Sequence, residues 1–179
     1  MSAVDSSVLQ KVIDCELMLQ SDCLLASQDV ESSFDHDKFV EDYAHDMCTV
    51  LAFWLNEKCN LKIGAILAIN QDDEDDVDYD TVAHQYVYIN EGFVLDARGV
   101  CTEKDMLYYF KDAALHDVED WDFIIDREYQ HDASRKGMRD FSEHEHLFTE
   151  FLVLLNIKLE SLLENGDIIE PRVASSMMP

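Results

Sequence analysis

Three side chains in the middle of this chain, Cys48, His84 and Asp96, have the types and the order of a thiol relay. A cysteine nucleophile needs a base to take its proton, a group to orient that base, and donors for the oxyanion that develops on a substrate carbonyl. In that assignment Cys48 is the nucleophile, His84 the general base and Asp96 the orienting acid, with backbone N–H groups at the start of the Cys48 helix as oxyanion donors. Singly, each residue has a plainer account. A cysteine among apolar residues is core, a histidine on a strand is partly buried, and an aspartate before Ala97-Arg98-Gly99 forms a turn. Whether the three meet turns on two local questions of chain geometry.

The first concerns the helix that carries the thiol. A helical pattern starts near Asp37 with Phe39, Val40 and Tyr43, then meets the polar pair His45 and Asp46. If Asp46 caps a new helix, Cys48 falls in its first turn, where the positive end of the macrodipole favours the thiolate while the charge of Asp46 opposes it. If the helix runs unbroken from Asp37 to Lys58, Cys48 is an interior residue without that help. The second question is the register of a hairpin with strands at Thr81–Asn90 and Phe93–Asp96. With a three-residue turn at Asn90, Glu91 and Gly92, Ile89 faces Phe93, Tyr86 faces Asp96, and His84 lies one diagonal from Asp96 on the same face. A two-residue turn at Glu91 and Gly92 puts His84 and Asp96 on opposite faces, because side chains alternate with a period of two. The residues permit either register.

Around these pieces the pattern places a helix over Asp5 to Ala26, with an apolar stripe that includes Cys15, and a buried strand over Leu61 to Asn70. Gln71 to Asp80 holds six aspartates and one glutamate in ten residues. It is a solvated loop, since unpaired carboxylates are costly to bury, and it lacks the Gly and terminal Glu of an EF-hand. Thr102 with Asp105 opens a helix through Phe110 to Leu115, Trp121 to Ile125 is extended, and Ser142 with Glu145 opens a long last helix to about Leu163, stopped by Gly166. His144 and His146 are two apart on that helix and do not share a face, which argues against a metal pair. The expectation is a single α+β domain over residues 1–170 with a frayed tail at 171–179, its helices packed on a small antiparallel sheet of three to five strands.

The order of a Cys at a helix start, a His on a following strand and an Asp on the next resembles the papain-like superfold in its transglutaminase-like and NlpC/P60-like branches. The likeness runs from roughly Asp46 to Gly99, through the helix Cys48-Thr49-Val50-Leu51-Ala52-Phe53-Trp54-Leu55 and the hairpin from His84 to Gly99. It implies a papain-like or transglutaminase-like core and thiol attack on an amide, thioester or ester of a protein substrate through an acyl-enzyme. Proteolysis, deamidation and acyl transfer are the outcomes such enzymes produce. No metal and no cofactor is called for.

The formal charge of -26 over 179 residues repels phosphates and anionic membrane surfaces, which excludes direct nucleic-acid or membrane binding as a first reading. It suits a basic protein partner. The second functional reading is therefore a non-catalytic acidic interaction protein, such as an inhibitor that mimics nucleic acid toward a basic partner. Cys15, Cys23, Cys48, Cys59 and Cys101 are odd in number and form no CxxC pair, so reduced thiols are expected rather than a secreted disulfide framework. With neither a leader-like N-terminus nor an apolar run of about 18 residues, the expected compartment is cytoplasmic.

Overall fold

The computed structural model describes residues 34–70, 82–90, 92–114, 121–128 and 141–165. The expected first helix at 5–26, the acidic run at 71–80 and the tail lie outside them. Among the described residues, four α-helices pack on a five-stranded antiparallel sheet, an α+β fold.

Helix α1 (His36–Glu41) is capped by Asp35, whose Oδ1 accepts from the Lys38 N–H at 3.0 Å. A π-helical turn, Asp42–Asp46, follows and closes with Met47 N donating to Asp42 O at 2.9 Å. The wider i→i+5 ring ends the α geometry there. Helix α2 (Cys48–Cys59) then starts afresh, with Met47 as N-cap at φ -118° and ψ 25° and no side-chain cap. Of the two alternatives the sequence left open, the unbroken helix is thus excluded and a new helix does start before Cys48, but its N-cap is Met47 and not Asp46. At the far end Asn60 takes the left-handed conformation at φ 56°, its N–H bonded to Asn56 O at 2.9 Å, and Asn56 Nδ2 donates to Leu61 O at 2.7 Å.

Strands β1 (Lys62–Asn70), β2 (Val82–Asn90), β3 (Phe93–Asp96), β4 (Gly99–Thr102) and β5 (Trp121–Asp126) form the sheet in the order β4-β3-β2-β1-β5. Helix α3 (Glu103–Ala114) connects β4 to the opposite edge. Its start carries the predicted box, with Asp105 N donating to Thr102 Oγ1 at 3.1 Å and Thr102 Oγ1 donating to Asp105 Oδ2 at 2.6 Å. Helix α4 (Glu145–Asn165) begins later than the Ser142 signal suggests, because a turn comes first in which His144 N and Glu145 N both donate to Phe141 O.

Alternation along the strands gives the sheet two dry faces. Ile63, Val87, Ile89 and Leu95 pack under the α1, α2 and α4 layer, with Phe39, Trp54, Phe148 and Phe151 at its centre. Ile66, Tyr86 and Val94 pack on the other face against Met106, Leu107 and Phe110 of α3. On that second face the Tyr86 and Tyr88 hydroxyls both donate to Glu103 Oε1, and Arg127 Nε grips the same carboxylate at 3.1 and 3.0 Å. This ties β2 to the start of α3 and the end of β5. No helix among the described residues is long and apolar enough to cross a membrane.

Gly64 is the residue that leaves room for both tyrosine rings, since a Cβ there would meet Tyr86 and Tyr88 ring carbons at 2.7 Å. Gly64→Ala should therefore lower stability by about 1–3 kcal/mol, the usual cost of forcing extra volume into a packed site. Thermal unfolding measures it, and an unchanged midpoint would show that the rings have room to retreat.

Candidate active site

The hairpin settles the face on which His84 and Asp96 lie. Asn90 pairs with Phe93 at the tip, the register then shifts, and Tyr88 faces Val94 while Val87 faces Leu95. Gly92 supplies the positive φ of 95° that such a bulged turn requires. The register beyond the shift is the one a three-residue turn predicts. It sets Asp96 one diagonal from His84, and His84 Nε2 lies 2.9 Å from Asp96 Oδ2, both side chains buried.

The start of α2 brings the thiol to the same place. Strand β3 ends at Asp96, so it pairs with β2 only from Val87 onward. At the vacated edge the Cys48 sulfur accepts from the Gln85 backbone N–H, and it also interacts with the Thr49 hydroxyl and the His84 ring. With Nε2 occupied by Asp96, the ring nitrogen left for the sulfur is Nδ1. That atom is buried and meets no partner at ideal hydrogen-bond geometry, yet the thiol and the ring lie close enough for each to favour the other's charged form through hydrogen bonding and charge. Val50 N and Leu51 N make the first helical bonds, both to Met47 O, which leaves the N–H groups of Cys48 and Thr49 ahead of the ladder.

Burial and charge compete at each of the three groups. Burial pushes the Cys48 thiol up, but His84, the Gln85 N–H and Thr49 outweigh it and hold the thiol below its ordinary value. Burial disfavours the His84 imidazolium, yet the Asp96 hydrogen bond and the nearby Cys48 raise its pKa. Asp96 also resists burial, and the Arg98 guanidinium together with His84 keeps it ionised well below the usual carboxylate range. Proton transfer from Cys48 to His84 is thus favoured by its surroundings.

Sequence reasoning placed Cys48, His84 and Asp96, and the structure brings all three together. It missed the residues that enclose them. Phe110 stacks on the His84 ring at 4.7 Å. Arg98 Nε donates to Asp96 Oδ2 at 2.8 Å and its Nη2 to the same oxygen, while its backbone N–H donates to Asp96 Oδ1 at 2.8 Å. The spacing Asp96-Ala97-Arg98 was the available signal, since an Asp in a turn commonly accepts from the N–H two residues on. The site is also tightly closed, with 7% of Cys48, none of His84 and 1% of Asp96 exposed. A cavity of about 330 Å³ between α1 and α4, lined by Phe34, Lys38, Phe39, Tyr43, Leu147 and Glu150, does not touch the relay. No known protein family, curated protein or solved structure matches this chain.

The pKa directions fix a pH window. A depressed carboxylate stabilises the fold above its unfolded value of about 3.9 and loses that contribution as pH falls through its folded value. A raised histidine contributes fully below about 6.5 and loses that contribution as pH rises through its folded value. The site's contribution is therefore greatest between about pH 4 and 6.5. Asp96→Asn should cost about 3–5 kcal/mol near neutral pH by breaking a buried ionic network. The gap to wild type in denaturant midpoint should narrow toward strong acid, and a pH-independent gap would mean that the carboxylate charge is not what stabilises the fold.

Proposed function

We propose that this chain is a thiol hydrolase or acyltransferase that acts on a protein amide or a related acyl group, on a papain-like or transglutaminase-like core. The observation that carries the reading is the His84–Asp96 hydrogen bond, set against an acidified thiol at the first residue of a helix. His84 Nδ1 takes the Cys48 proton as the sulfur attacks the acyl carbon. The N–H groups of Cys48 and Thr49 meet the oxyanion, where preorganised donors count most in a dry site. As the tetrahedral species collapses, His84 returns the proton to the departing amine and a thioester remains on Cys48. Water or an acceptor amine then attacks that thioester, with His84 as base again. Asp96 holds the ring in place and stabilises the imidazolium.

Cys48 has more exposed surface than its two partners, so the acyl group enters from the sulfur side, and the side chains above it have to part. The charge of -26 favours a second reading, a non-catalytic acidic protein that occupies a basic partner. It requires neither thiol nor base.

Iodoacetamide labelling followed by peptide mapping separates the two. At neutral pH Cys48 should react faster than Cys15, Cys23, Cys59 and Cys101, even though it is more buried than Cys59, whose thiol burial pushes up to about 11. His84→Ala should slow Cys48 by about 10²-fold, the lower range for losing a positioned base. Equal labelling of all five cysteines would remove the enzyme. Binding of a basic protein that falls steeply with salt and survives Cys48→Ala would support the interaction protein instead.

A further inference from the structure

Arg98 exceeds what a bare thiol relay needs. Its guanidinium is largely buried, with 13% of the side chain exposed, and it meets the same Asp96 oxygen that holds His84. Nη2 also stands 3.4 Å from His84 Nε2 and 2.7 Å from the Met106 sulfur. The guanidinium carbon sits 4.3 Å from the Tyr109 ring centroid and 5.1 Å from that of Phe110. A planar cation is thus clamped between a carboxylate and two aromatic rings of α3, beside the Nε2 edge of the imidazole.

We propose that Arg98 is the counter-charge of the relay, a positioning residue that balances Asp96 so that His84 is free to surrender its proton inside a closed site. The inference rests on the thiol relay proposed above. Charge balance gives the reason. With Arg98 in place, the resting thiol, neutral imidazole, carboxylate and guanidinium sum to zero. The thiolate and imidazolium form of the same four groups also sums to zero, so the proton passes between Cys48 and His84 without leaving net charge in a low-dielectric interior. Without Arg98, Asp96 is a buried carboxylate whose nearest cation is the protonated imidazole, and His84 is driven to stay charged when it has to act as a base in deacylation.

The groups that face His84 among the described residues are few. Cys48 approaches from α2, Asp96 from β3 and Arg98 from the turn after it, while the Tyr86 ring lies 6.3 Å away on β2. From α3 the neighbours Met106 and Phe110 carry no charge. Cys101 on β4 and Tyr109 on α3 act on Arg98, and Glu103 lies behind Tyr86, already held by Arg127. Arg98 is the guanidinium at hydrogen-bond reach of the Asp96 and His84 pair.

The test is a pH titration of the His84 imidazole by NMR in the full chain, with its resonance assigned through His84→Gln. Arg98→Gln should raise the His84 midpoint by about one pH unit or more, a tenfold gain in proton affinity, the usual scale for a charge at this range. Arg98→Lys, which keeps the charge and loses the fork, should stay close to wild type. A native Arg98→Gln protein with an unmoved or lowered midpoint overturns the proposal, and so does an Arg98→Lys shift as large as that of Arg98→Gln. If Arg98→Gln does not fold, Arg98→Met fills the same slot against Tyr109 and Phe110 without charge and takes its place in the titration. The titration asks nothing of the thiol. A moved midpoint beside a Cys48 that labels no faster than Cys59 would overturn the enzyme reading while leaving the effect of Arg98 measured.

Discussion

One buried carboxylate sets the terms for the rest of this molecule. Asp96 is 1% exposed, and an unpaired carboxylate at that depth would cost more than a domain of this size can carry. Each of its oxygens is used. Oδ1 closes the turn into β4 through the Arg98 N–H, while Oδ2 takes His84 from one side and the Arg98 side chain from the other. The hairpin register, the turn after it and the aromatic face of α3 all serve to keep that group satisfied.

This double use explains why the two accounts of Asp96 open to a sequence reader were not alternatives. As a turn former before Ala97-Arg98-Gly99 it spends Oδ1, and as a partner of His84 it spends Oδ2. The period of two in β2 and β3 was legible in the residue pattern and put His84 and Asp96 on one face once the turn was known. The turn itself was not legible, because Asn90, Glu91 and Gly92 fit two loop lengths equally well. Likewise the pattern left open whether the helix breaks near Asp46, because a side-chain cap leaves a residue signature and the π turn that makes the break leaves none. Arg98 was passed over for a related reason. An Arg on a short turn reads as surface, and only the packing of Tyr109 and Phe110 over it makes it part of the interior.

The site joins two layers that packing would otherwise keep apart. Cys48 belongs to the helix layer on one face of the sheet, whereas His84 stacks with Phe110 in the layer on the other. They meet because β3 is four residues long and stops, which leaves the Gln85 N–H to the sulfur. A short strand is usually a weakness in a sheet, since it leaves a ladder unfinished. Here the thiol takes up the Gln85 N–H, and the gap in the ladder becomes the place where thiol and imidazole meet.

The π turn at Asp42–Asp46 has a consequence of another kind. A π turn differs from a continuous α-helix by one extra residue in the ring, so the position of Cys48 at a helix start is encoded by chain length and hardly at all by side-chain identity. The bulged turn around Gly92 encodes the face of Asp96 in the same currency. Point substitution at either place leaves the count intact. Loss of one residue from either place would realign whole segments while leaving Cys48, His84 and Asp96 present, so their meeting depends on the length of these supports as well as on Gly92, whose φ of 95° strains any other side chain.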